Sequence, residues 1–168
     1  MSNRPLPFAT TIEVRDRCLC LHVQRAARAL ARRFDEALRP VNLTHGQFSL
    51  LMSLNRPEPP TIGSVSALLA MDRTTLTANL KPLERRGLVT VTINPADRRG
   101  RRLVLTTKGR TLLSDAMPIW RREHDAVDRL LAGSDPDRLR ADLTALTGAD
   151  AAPPRAIEPS ARRAVTRG

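Results

Sequence analysis

Two stretches of this chain carry side chains able to do chemistry. In "RCLCLHVQR", Arg17–Arg25, the thiols of Cys18 and Cys20 lie close to His22. Thiolates are redox nucleophiles and metal ligands, and flanking arginines such as Arg17 and Arg25 favour the thiolate form. On a helix, residues two apart project roughly 160° from each other, so a Cys18–Cys20 disulfide would require unwinding. Cys18 and His22, four apart, share a face and form half of a metal site. No carboxylate stands at a spacing that would complete it, so no metal and no cofactor are expected. Cys20 has two readings: a redox switch, or a small apolar residue packed against its helix's partner.

The second stretch is "TINPADRRGRRLVLTTKGR", Thr92–Arg110. Arg98, Arg99, Arg101, Arg102, Lys108 and Arg110 stand there with one aspartate, Asp97. Like charge at that density is tolerated where a strongly anionic partner arrives. From Thr61 to Arg110 ten basic residues face three acidic ones, 10 − 3 = +7, within a 168-residue chain of net charge +11. Charge of that size restricts partners, with nucleic acid first. The longest apolar run, "FSLLMSL", is far short of the roughly 20 residues a membrane span needs. The N-terminus has no apolar signal region, and two cysteines are too few for a disulfide framework, so a cytoplasmic setting is expected. Phe8, Phe34, Phe48 and Trp120 are the whole aromatic complement. Single strands are held by base stacking on aromatic platforms, so double-stranded DNA fits better.

These side chains need elements to hold them. Apolar residues Leu19, Val23, Ala26, Ala27, Leu30, Phe34 and Ala37 recur at helical steps, predicting one helix over residues 11–38. "THGQ" from Thr44 has the form of a capping box opening a short helix. Ile62, Val65, Leu68 and Leu69 predict a helix over residues 61–70. After "MD", a further helix spans Arg73–Arg86, with Asp72 as N-cap and Gly87 as stop. Leu76, Leu80 and Leu83 share its inner face. Thr74, Thr77, Ala78, Lys81 and Arg85 lie opposite, with Thr75 and Pro82 at the margin, and Pro82 is expected to kink the helix. Val89, Val91 and Ile93 then alternate, as do Leu103 and Leu105, giving a two-stranded hairpin. Thr106 caps a long helix through Leu131, broken or bent at Pro118, and Pro136 opens a last short one. His124 reads as a solvated helix residue. The ordered region is bounded by a flexible segment, residues 1–10, and a basic, disordered tail, residues 149–168.

Two short helices with a tight turn, followed by a hairpin, form a winged helix-turn-helix. Small hydroxyls and a methyl on the outer face suit a major groove, while Lys81 and Arg85 are placed for phosphates. The arginine-rich tip would reach the adjacent minor groove, with Asp97 holding one arginine in shape.

"GLVTVTINPADRRGRRLVLTTKG", with "LTHGQFSLLMSL" and "MDRTTLTANLKPLERRGLV" upstream, resembles the MarR family over roughly Asp16 to Leu146. The resemblance implies a mainly α fold with a small β-hairpin wing. A winged helix-turn-helix DNA-binding lobe, residues 61–110, would be joined to long dimerisation helices, residues 11–40 and 107–148. It implies a homodimeric regulator, usually a repressor, answering a small organic effector of unknown identity. DNA contacts are expected from Arg73, Thr74, Thr75, Thr77, Ala78, Lys81, Arg85, Asp97, Arg98, Arg99 and Arg101, with Arg99 entering the minor groove. Cys20 matches the reactive cysteine of the family's peroxide-sensing branch, but Gln24 and Phe34 stand where that branch has activating tyrosines. The alternatives are an oxidant-responsive regulator using Cys20, with Cys18 nearby, and a sequence-independent architectural DNA-binding protein. No nucleophile–base–orienter set is found, so no enzyme is expected.

Overall fold

The computed structural model describes residues 5–94 and 97–148, and the side chains of residues 97–99 fall outside that description. Seven α-helices and one hairpin are found among the described residues: α1 Phe8–Arg17, α2 Leu19–Leu38, α3 His45–Ser53, α4 Ile62–Leu68, α5 Arg73–Arg85, β1 Val89–Asn94, β2 Asp97–Leu105, α6 Thr107–Leu130 and α7 Pro136–Leu146. A 3-10 turn, Arg39–Val41, closes α2. The chain divides into two compact units, Met1–Asp125 and Ala126–Gly168, with the division inside α6.

The expected single helix over residues 11–38 is two helices. Cys18 adopts an extended conformation (φ −74°, ψ 100°) between them, ending α1 and capping α2. The backbone bond that would run from the Cys20 N–H to the Asp16 carbonyl is lost there. The Nε2 of His22 lies 3.3 Å from that carbonyl, where the ring can donate in its place. A side chain four residues downstream thus satisfies a break that neither proline nor glycine announces.

The first unit has its core where the helix-turn-helix meets the hairpin. Leu38, Leu50, Leu51, Val65, Leu76, Leu83, Leu88 and Leu103 are fully buried within one cluster. Thr44 and Gln47 form the capping box at the start of α3, Thr61 caps α4, and Asp72 caps α5. α4 ends at Leu68, two residues before the expected limit, as Ala70 turns into the left-handed region (φ 49°). The Ser66 hydroxyl donates to the Met71 carbonyl across that turn.

Of the break or bend expected at Pro118, the break is absent: α6 continues through it to Leu130. His124 is half-buried, its ring 4.6 Å from Trp120 and 6.1 Å from Phe34, so it is part of an aromatic cluster and not a solvated residue. In α2 only Phe34 and Leu38 are buried, and α7 has no buried residue. The apolar stripe of α2 therefore lies largely open in the single chain. Asp135 caps α7, accepting from the Asp137 and Arg138 backbone N–H groups.

Candidate nucleic-acid interface

α5 is built to present one face and bury the other. Leu76, Leu80 and Leu83 sit in the core, while Arg73, Thr74, Thr75, Thr77, Ala78, Lys81 and Arg85 are all exposed. The Asp72 carboxylate accepts the Thr75 backbone N–H at 2.8 Å and its hydroxyl at 2.7 Å. Those two bonds hold the Asp72 pKa below the usual carboxylate value. The Thr77 hydroxyl donates to the Arg73 carbonyl at 2.7 Å. A hydroxyl has one proton to give, so Thr75 and Thr77 turn acceptor lone pairs outward as they stand. Such acceptors match the exocyclic amines of adenine and cytosine in a major groove. Pro82 lies inside α5, which continues through it to Arg85.

The hairpin is antiparallel and in register from Val89↔Leu105 to Ile93↔Arg101, with an irregularity between Ile93 and Asn94. Val89, Leu103 and Leu105 face the core, as the alternation requires. Ile93 does not: it is 61% exposed, because the hairpin has by then left the body of the lobe. Arg101, paired with it, is also exposed. The wing is fastened to the start of α4 by the Leu103 N–H donating to the Pro60 carbonyl at 2.9 Å, and by a Thr61–Arg102 bridge. Asp97, Arg98 and Arg99 belong to β2 by backbone, but their expected contacts rest on side chains outside the described residues.

Among the described cations between Thr61 and Arg110, several are engaged by the lobe itself, and Arg101 donates from Nη1 to the neighbouring Gly100 carbonyl at 3.2 Å. Arg102 is half-buried and donates from Nε to Asn94 Oδ1 at 2.9 Å. Lys108 donates from Nζ to the Arg86 carbonyl at 2.9 Å, and Arg86 donates to the Asn42 carbonyl at 2.6 Å. Composition could not separate these from cations turned to solvent, because all carry the same charge. The Leu-Thr-x-Lys-Gly run is a splice. Thr106 donates from Oγ1 to the Gly87 carbonyl at 2.8 Å and accepts the Gly109 N–H at 3.0 Å. A Cβ on Gly109 would stand 2.3 Å from the Leu88 carbonyl oxygen.

The thiols are elsewhere. Cys18 is half-buried at the α1–α2 break and Cys20 is exposed, so Cys20 is not packed within the single chain. No cluster of three or more metal-ligating side chains is found among the described residues. A cleft of about 530 Å³ opens between α3, the end of α4 and α6, with Phe48 and Trp120 stacked along it and Met52, Met117, Leu69 and Arg56 around them. No helix is long and apolar enough to cross a membrane among the described residues.

The MarR family model matches residues 43–100. An organic hydroperoxide resistance transcriptional regulator of Bacillus subtilis is 30% identical over 101 residues, covering 60% of this chain and 69% of its own. Matches to the first curated relatives span about two thirds of those proteins' length. The M. tuberculosis transcriptional regulator MosR, solved in complex with DNA, is 38% identical with a TM-score of 0.66, covering 78% of this chain and 94% of that one. CouR of Rhodococcus jostii RHA1, a transcriptional repressor solved on a 23-mer duplex, is 31% identical with a TM-score of 0.65, covering 86% and 98%.

Proposed function

This chain belongs to the MarR family of winged-helix, DNA-binding transcriptional regulators, and from that membership we propose that it is a homodimeric repressor of a pseudo-palindromic operator. α5 enters the major groove and the wing tip enters the neighbouring minor groove, with Arg99 inserted. The single observation that carries this reading is the outward face of α5. All seven residues assigned to DNA there are exposed, and the three leucines opposite them are buried. Arg73, Lys81 and Arg85 supply charge along it, while Thr74, Thr75, Thr77 and Ala78 keep its N-terminal half slim enough for close approach. The likeness to MosR and CouR, each solved on DNA, supports the same placement. A two-fold dimer sets half-sites about one helical turn apart.

Competition gel shifts with the promoter duplex of its own gene against random duplex test the proposal. Strong preference for the promoter is expected, and equal affinity for both would favour an architectural protein. Arg99→Ala should weaken promoter binding at least about tenfold, or about 1.4 kcal/mol, with the oligomer intact. Unchanged binding would count against the wing.

Release is assigned to a small organic molecule in the Phe48–Trp120 cleft, which joins the lobe's helices α3 and α4 to α6. Such a ligand acts only through unequal affinity for the DNA-bound and released states. Thermal-shift screening followed by the gel shift reads this directly, since a ligand of the folded form raises its melting point.

A second reading is favoured by one observation: Cys18 sits in the non-helical joint between α1 and α2, with Cys20 exposed beside it. The unwinding that a Cys18–Cys20 disulfide requires is thereby partly supplied. A hydroperoxide would oxidise Cys20 to a sulfenic acid, releasing the alcohol, and the Cys18 thiol would then displace water to close the disulfide. Loss of promoter binding on peroxide treatment, abolished in Cys20→Ser, is the expected sign. Identical responses of the two proteins would exclude it.

A further inference from the structure

The C-terminal end of α5 is fastened from two sides. Arg86, the first residue past the helix, donates from Nη1 to the backbone carbonyl of Asn42 at 2.6 Å, and its own carbonyl accepts Lys108 Nζ at 2.9 Å. Asn42 ends the 3-10 turn after α2 in a left-handed conformation (φ 52°), with its N–H on the Arg39 carbonyl and its own carbonyl on Arg86. Between α5 and this turn lies a gap of about 380 Å³ bordered by Asp35, Arg39, Gln47, Pro82 and Arg86. Apolar packing does not fill it. The guanidinium spans it with a charge-assisted bond, shorter and more directional than a neutral one.

We propose that Arg86 is a positioning residue for DNA recognition: it fixes the tilt of α5 against the α2–α3 turn and makes no contact with DNA. The inference rests on the reading of α5 as the groove-entering helix. α5 has 13 residues, so at 1.5 Å per residue its reading end lies about 20 Å from this fastening. A rotation of about 5° at the fastened end displaces the far end by about 1.7 Å, more than a hydrogen bond to a base edge tolerates. Lys108 and Thr106 hold the same end against α6 and the hairpin, whereas Arg86 ties it to the turn that follows α2. The two attachments face different elements, so loss of Arg86 leaves the tilt of α5 set by Lys108, Thr106 and the packing of Leu76, Leu80 and Leu83 alone.

The full chain would be titrated with its own promoter duplex and with a random duplex of equal length at several salt concentrations. Arg86→Met is expected to weaken promoter binding by at least about fivefold, while random-duplex affinity and the slope of log K against log salt stay at wild-type values. Arg86→Lys, which keeps a donor of similar reach, should recover most of the loss. A slope reduced by about one, with both duplexes weakened alike, would make Arg86 a phosphate contact and overturn the proposal. So would promoter binding by Arg86→Met equal to wild type. If Arg86→Met does not fold by circular dichroism, Arg86→Gln is read by the same criteria. Wild-type protein that binds no duplex would instead remove the reading of α5 beneath the proposal.

Discussion

At the scale of single residues, equal charges do unequal work. Lys81 and Lys108 are both exposed lysines of one lobe, yet Lys108 closes the end of α5 on a carbonyl while Lys81 stands on its outer face. Lys81→Ala should therefore lower the salt slope of DNA binding by about one, the signature of one lost phosphate contact. An unaltered slope would move Lys81 off the DNA. Asp72 makes the stability of α5 depend on pH. Thr75's N–H and hydroxyl hold its pKa below the ordinary value, so its contribution to stability is complete above the carboxylate range and drains away as pH falls through the lowered pKa. Asp72→Asn keeps an acceptor at the cap but cannot titrate. Its thermal midpoint should fall less steeply into acid than that of the wild type, and parallel acid limbs would clear Asp72 of any part in the acid sensitivity.

At the scale of elements, the contacts between them decide what a residue type means. Gly109 meets the Leu88 carbonyl so closely that a methyl group has nowhere to go: its Cβ would press on that backbone oxygen and stand 2.8 Å from Cδ1 of the buried Leu105. Gly109→Ala should cost about 1–3 kcal/mol by overpacking, visible as a lowered denaturation midpoint. Gly133→Ala, where a Cβ meets nothing within 4 Å, should be neutral or slightly stabilising. Equal midpoints for the two would contradict the splice. The same contrast explains what was legible in sequence. Capping boxes, leucine spacing and hairpin alternation are local, and Thr44, Asp72, Gly87, Leu76 and Leu103 all stand where their spacing puts them. The face of α5 was legible for the same reason. Cys18, His124 and Arg86 were not, because each is defined by a distant or non-periodic partner: a carbonyl taken by His22, a ring on another helix, a turn 44 residues away.

At the scale of the whole molecule, the proposed dimer draws its support from apolar side chains that the single chain leaves uncovered. Leu19 is 57% exposed on α2, and Leu30, four-tenths exposed, follows on the same helix. On α7, Leu139, Leu143 and Leu146 are open as well. A helix with an apolar stripe is stable in water when something covers the stripe, and a repeated stripe of this kind is met most simply by a second copy across a two-fold axis. Sedimentation should give twice the chain mass of 18.6 kDa, and the melting temperature should rise with protein concentration, as mass action requires when folding and association are linked. Leu30→Glu combined with Leu143→Glu should shift the protein toward single chains and abolish operator binding, since one half-site then carries the whole affinity. A wild-type species of one chain's mass at micromolar concentration, melting independently of concentration, would leave the open stripes unexplained. It would also leave the two half-sites of the proposed operator without a partner to bridge them.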